Sequence, residues 1–195
     1  MRHAFTTRLL HLLLAGGIVL QLADSQLMRV PRPGRELTAL QGSAFAVHQW
    51  VGLAMAVVIV LFWLWLTLRR VGTAPGQLFP WFSARRLRAV RTDLAGYARA
   101  ATRLSLPDPE TSGALAGALH GLGLLIALAM APTGTIGWLA WDQSAAMSSF
   151  APGVFEVHGA IANLMWAYVI AHVGATVLHE LVGHRLLRRM APLPS

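Results

Sequence analysis

The stretch VHGAIANLMWAYVIAHVGATVLH, Val157–His179, decides the fold. It runs 23 positions without a formally charged residue. A helix needs about 20 predominantly apolar residues to cross the ~30 Å hydrocarbon core of a bilayer, so the stretch is long enough to span one. Two histidines, His158 and His172, lie inside it. Ionisable or polar groups at membrane depth are costly and mark function by default.

Working outward, three more stretches have the same character. Leu9–Met28 carries a single charged residue, Asp24, near its end; 45–68 has none in 24 positions and 114–140 none in 27. The reading is an all-α integral membrane protein, a four-transmembrane-helix bundle forming one domain over 1–195, with helices at about 9–28, 45–68, 114–140 and 155–182. The N-terminal stretch also resembles a signal peptide with a weak cleavage site at Ala23-Asp24-Ser25. Its apolar run is long for that role and contains His11, which favours a retained helix.

Composition agrees with this reading. Of 195 residues, 55% are hydrophobic and 12% charged, against about 25% charged in an ordinary soluble domain. Intrinsic disorder is excluded, since it needs low hydrophobicity and high charge. The absence of cysteine excludes a disulfide scaffold, a thiol nucleophile, a cysteine-held iron–sulfur cluster and c-type haem attachment.

The net charge is +8, and every basic residue is arginine. Thirteen of the sixteen arginines fall in the N-terminal stub, in the segment between the second and third spans, and in the C-terminal tail. The positive-inside rule then puts both termini in the cytoplasm, and the charge needs no nucleic acid to explain it. The inner segment 70–113 is expected to hold an amphipathic helix over 83–104, with Ser83 as N-cap and Leu87, Val90, Leu94, Tyr97 and Ala101 at helical spacing. Pro107 and Pro109 are expected to end it. Trp81 and Phe82 suit the membrane interface, and the arginines after them suit anionic lipid headgroups.

The chemistry falls to the eight histidines. His158 and His172 are 14 residues apart, four helical turns less about 40°, so they share a face about 21 Å apart along the axis. That is too far for one metal ion and suits two haems stacked across a bilayer, each needing a second imidazole from a facing helix. Depth selects the partners: His48 near the outer surface matches His158, and His11 near the inner surface matches His172. His120, inside the third span, competes with His11 for the inner iron; Gly121 and Gly123 beside it would leave room for a flat ring. Gly52, one turn after His48, would let a macrocycle lie close, although small residues also serve helix packing. His179 is expected at the inner interface; His184 and His3 are expected to be solvated.

Arg8-Leu9-Leu10-His11, Val47-His48-Gln49-Trp50-Val51-Gly52, and Val157-His158-Gly159 continuing to Ala171-His172-Val173-Gly174 together resemble the prokaryotic cytochrome b561 family. The tail Arg188-Arg189-Met190-Ala191-Pro192 is similar to that family's tail. The resemblance covers all four helices. It implies two b haems held by one histidine on the first helix, one on the second and two on the fourth: His11, His48, His158 and His172, with His120, Gly52 and Arg8 as further candidates around the cofactor. It also implies ubiquinone or menaquinone as substrate and a place in the bacterial inner membrane. Compact members such as superoxide oxidase have a shorter inner loop. Pro80-Trp81-Phe82 and the arginine-rich helix after it resemble instead the cytochrome b subunits of formate dehydrogenase and nickel–iron hydrogenase, which work with a periplasmic electron donor or catalytic subunit.

The leading expectation is a di-haem conduit exchanging electrons with the quinone pool. A stand-alone superoxide oxidase would use Arg29, Arg32 and Arg35 to attract an anion, partly offset by Glu36. A different class is a membrane metal transporter or sensor built on the histidines. The spacing of His158 and His172 and the lack of buried carboxylates oppose it, because zinc gathers four ligands about one point. A plain structural anchor leaves two same-face histidines unexplained.

Overall fold

A computed structural model describes residues 4–31, 34–69, 74–103, 105–108, 113–141 and 150–187. His3, Arg32, Pro33, Arg70, Pro109 and the tail motif Arg188–Pro192 lie outside the described residues. The described elements are helical: α1 Phe5–Asp24, α2 Ala39–Leu68, α3 Pro75–Leu78, a single 3-10 turn Pro80–Phe82, α4 Ala84–Ala101, α5 Gly113–Leu139 and α6 Phe150–Leu181. Four of them, α1, α2, α5 and α6, are long and apolar enough to cross a membrane. Their apolar surface is largely unburied by protein; on α6 only 6% of the most apolar 18-residue window is covered. A water-soluble protein rarely leaves such area open, whereas lipid tails cover it at no cost.

The helix ends differ from the hydropathy reading, for local reasons. α1 was expected over 9–28 but runs Phe5–Asp24. At its front, the Arg8 amide donates a hydrogen bond to the Ala4 carbonyl and continues the helix. At its end, the Ser25 hydroxyl donates to the Leu22 carbonyl and the Leu27 and Met28 amides both turn back to Asp24. α2 was expected from 45 but starts at Ala39, because Thr38 and Gln41 form a reciprocal cap. The Thr38 hydroxyl accepts from the Gln41 amide and the Gln41 side chain accepts from the Thr38 amide, each at 3.3 Å; this is the capping box, which satisfies two orphan donors at once. α6 starts at Phe150 rather than 155. The amphipathic helix, expected over 83–104, is α4, with Ser83 as N-cap accepting from the Arg86 amide. It closes at Ala101, before Pro107, as the Thr102 hydroxyl turns to the Arg99 carbonyl.

By packing, the chain falls into two compact units, with boundaries inside α1, α2, α5 and α6. The first comprises Met1–Arg8, Leu66–Leu125 and Ala167–Ser195. Here α4 is tied to α5 by its one acidic residue, since the Asp93 carboxylate accepts from the Leu115 amide at 2.9 Å. That bond places a negative charge at the N-terminus of α5, where amides lack intrahelical partners. α5 lies directly on the α3 segment. A Cβ at Gly117 would sit 2.8 Å from the Gln77 carbonyl oxygen, and one at Gly121 would run into the Leu78 carbonyl. Phe82 is exposed and no residue of α4 is buried.

The second unit comprises Leu9–Trp65 and Ile126–Trp166. Its buried side chains include Leu14, Phe45, Ile59, Phe62, Ala127 and Met165. α1 and α2 meet where Gly17 leaves space for the Met55 thioether. Phe45 and Trp141 pack edge to face with ring centres 5.1 Å apart.

Candidate haem-binding site

His48 stands on α2 and His158 on α6, both in the second unit. Their ring centres lie 6.3 Å apart and the planes are nearly perpendicular, at 89°. An imidazole nitrogen bonds a transition-metal ion at about 2 Å, and each ring centre lies roughly 1 Å behind its nitrogen. A metal between two rings therefore sets their centres about 6 Å apart, close to the separation seen.

Each ring is held by its Nδ1. His48 Nδ1 lies 2.8 Å from Asp24 Oδ1; a carboxylate only accepts, so this nitrogen donates. His158 Nδ1 lies 3.0 Å from the Thr133 hydroxyl oxygen. That hydroxyl spends its proton on the Ala129 or Met130 carbonyl of its own helix, so it accepts from His158. Both rings thus carry the proton on Nδ1 and offer a lone pair on Nε2, the arrangement in which metal-bound imidazoles are oriented by a partner behind them. Helix α5 is shaped for this contact. Pro132 withholds one amide, Thr133 follows it, and Gly134 gives way to the ring: a Cβ there would sit 3.0 Å from His158 Cε1.

The two rings line a cleft whose walls are mostly apolar and include Met130, Trp138 and Phe155. An apolar cleft flanked by two imidazole rings whose centres stand at metal-bridging separation suits a haem iron ligated by both. Gly52 also lines it. A Cβ there would meet the Gln21 amide nitrogen at 3.0 Å, and that nitrogen donates to the His48 carbonyl at 2.9 Å. Gly52 therefore clears room for Gln21.

In the first unit His172 meets the rings of Tyr168 and His120. Tyr168, one turn earlier on α6, stacks on it with centres 5.5 Å apart and planes 13° apart. His120 of α5 meets it edge-on, with centres 5.1 Å apart. His120 Nδ1 donates to the Ala116 carbonyl at 2.7 Å, which again leaves Nε2 for another partner. The 5.1 Å separation is about 1 Å short of what a bridging metal sets. The room expected beside Gly121 and Gly123 is taken up: Gly121 faces the Leu78 backbone and Gly123 faces the Tyr168 ring. His11 lies on α1 in the second unit, and Arg8 precedes it by three residues in the first.

His179 is buried and joined on both sides. Tyr97 Oη lies 3.2 Å from its Nε2, and His184 Nδ1 lies 2.7 Å from its Nδ1. His184, expected to be solvated, is thus engaged, because the turn at Gly183, with φ +87°, folds the chain back on α6. Among the described residues no three side chains of the His, Asp and Glu type gather as a metal centre.

Sequence reasoning missed Asp24, Gln21, Thr133 and Gly134. Asp24 registered as an interruption of an apolar run and no buried carboxylate was expected, but Asp24 is buried against His48; a lone acid at the end of a span calls for a partner. Pro132-Thr133-Gly134 in the middle of α5 was likewise a visible irregularity.

These features define a multi-pass membrane protein with paired intramembrane histidines. A family model described as prokaryotic cytochrome b561 matches residues 2–192, and the chain belongs to that family. It is accordingly a membrane b-type cytochrome that binds haem b and carries electrons. Comparison with curated proteins and with solved structures returned no match.

Proposed function

We propose that the chain is a di-haem conduit in the bacterial inner membrane, with both termini cytoplasmic, which passes electrons to or from the quinone pool, ubiquinone or menaquinone. The carrying observation is the pair His48 and His158, 6.3 Å apart across an apolar cleft, each with Nδ1 committed to a protein acceptor. These two histidines hold one haem. His172 and His11 hold the other. The short His120–His172 separation supports His120 as a neighbour of the second haem rather than its ligand. Gly52 and Arg8 are supporting residues.

Haem supplies a one-electron couple when bound. The chain supplies everything that makes it useful in a membrane. Asp24 and Thr133 orient the imidazoles, Gly134 admits the His158 ring, and the apolar walls exclude water. Electron donors of two kinds suit this arrangement: superoxide, oxidised by the chain alone, or a periplasmic catalytic subunit for which the chain is the haem partner.

Purified protein should show a reduced b-type band in the visible region on addition of quinol. A protein without that band, or with haem that quinol never reduces, refutes the reading. Reduction by a superoxide source with no other protein present identifies the stand-alone enzyme, and dependence on a co-purifying subunit identifies the other.

A further inference from the structure

We propose that Asp24 is a positioning residue whose buried charge biases the His48–His158 haem toward its oxidised form. The inference rests on the ligand reading above and adds to it a residue of another helix.

Asp24 is the last residue of α1 and is 7% exposed. Its Oδ1 receives the His48 Nδ1 proton at 2.8 Å. Its Oδ2 is buried with no hydrogen-bond partner among the described residues, and so is Gln21 Oε1, one turn earlier on the same helix. The Gln21 amide nitrogen donates to the His48 backbone carbonyl. α1 therefore grips His48 at two points, ring and main chain, and Gly52 leaves the space that lets it do so.

The two candidate ligand histidines are backed unequally. Behind His158 stands a neutral hydroxyl, Thr133; behind His48 stands a carboxylate. An isolated carboxylate away from water is costly unless a positive centre lies near. Asp24 Oδ1 is joined to the neutral His48 ring, so a compensating positive charge belongs on the far side of that ring, at Nε2. A ferric haem carries one more positive charge there than a ferrous one. Coulombic attraction across a low-dielectric site thus favours the ferric state, and the hydrogen bond reinforces it by making His48 a stronger donor to iron. Axial partners and their hydrogen bonds are among the means by which proteins set haem potentials.

The test is a redox titration followed optically on full-length protein in detergent or nanodiscs, with haem per chain measured alongside. The haem in question is the one lost in His48→Ala. In Asp24→Asn it should stay bound and its reduction should become at least tenfold easier, a rise of 59 mV for one electron. The other haem should not move, and Asp24→Glu should restore most of the shift. Thr133→Val, which removes a neutral partner, should shift the same haem less. If Asp24→Asn sheds the haem, Asp24→Ser, a hydroxyl acceptor like Thr133, is titrated in its place with the same expectation. Loss of the haem in the Asn, Ser and Glu variants alike means the site merely needs that side chain's shape and overturns the proposal. Two bound haems with an unchanged potential in Asp24→Asn also overturns it while the ligand reading stands. If His48→Ala keeps two intact haems, it is the ligand reading that fails.

Discussion

A glycine carries the sharpest expectation at the scale of single residues. Gly134 lies against the edge of the His158 ring, where an added Cβ would stand 3.0 Å from Cε1. That is tighter than a ring held from behind by Thr133 can tolerate without turning. Gly134→Ala should therefore lower occupancy of the His48–His158 haem or leave part of it high-spin, seen in the absorption spectrum. Gly153→Ala on α6, where a Cβ meets nothing within 4 Å, should leave the spectrum unchanged. Equal behaviour of the two variants would show that the α5–α6 contact does not shape the site.

At the scale of elements, contact between α5 and the short α3 segment depends on Gly117 and Gly121 having no side chain. Gly121→Ala drives a methyl group into the Leu78 carbonyl, and overpacking of this kind costs about 1–3 kcal/mol. Gly96→Ala, inside α4 where a Cβ meets nothing within 4 Å, should instead be neutral or gain up to about 1 kcal/mol in helix propensity. Thermal midpoints in detergent should move in opposite directions. The same elements show what the residue pattern made readable. Three of the spans stood out because 23 or more uncharged positions leave a chain few alternatives, and the first because its 20 apolar positions carry one charge, Asp24. α4 stood out through its 3.6-residue periodicity and Ser83. The start of α2 was readable in Thr38-Ala39-Leu40-Gln41, yet hydropathy alone passed over it, because a capping box is polar. α3, four residues long, has no period to detect. That the His48 and His158 rings lie near one another followed from depth arithmetic along helices. Asp24 behind His48 and Thr133 behind His158 did not, because they depend on which side of α1 and α5 faces the rings, and the apolar content of those helices is too uniform to say.

For the whole molecule, two expectations remain. The arginine distribution puts both termini in the cytoplasm. A reporter fused at Ser195 should be active there, and periplasmic activity would invert the proposed depths of all four histidines. The central claim is that four particular histidines hold two haems, and haem content per chain tests it most directly. A pyridine haemochrome assay should give two haems per wild-type chain. His48→Ala and His158→Ala should each lose the same one, His11→Ala and His172→Ala should each lose the other, and His120→Ala should keep both. Partial loss with a high-spin spectrum counts as loss, since partners such as Asp24 and Thr133 still hold the remaining ligand. A wild-type ratio of zero, or His48→Ala and His158→Ala removing different haems, would contradict the account.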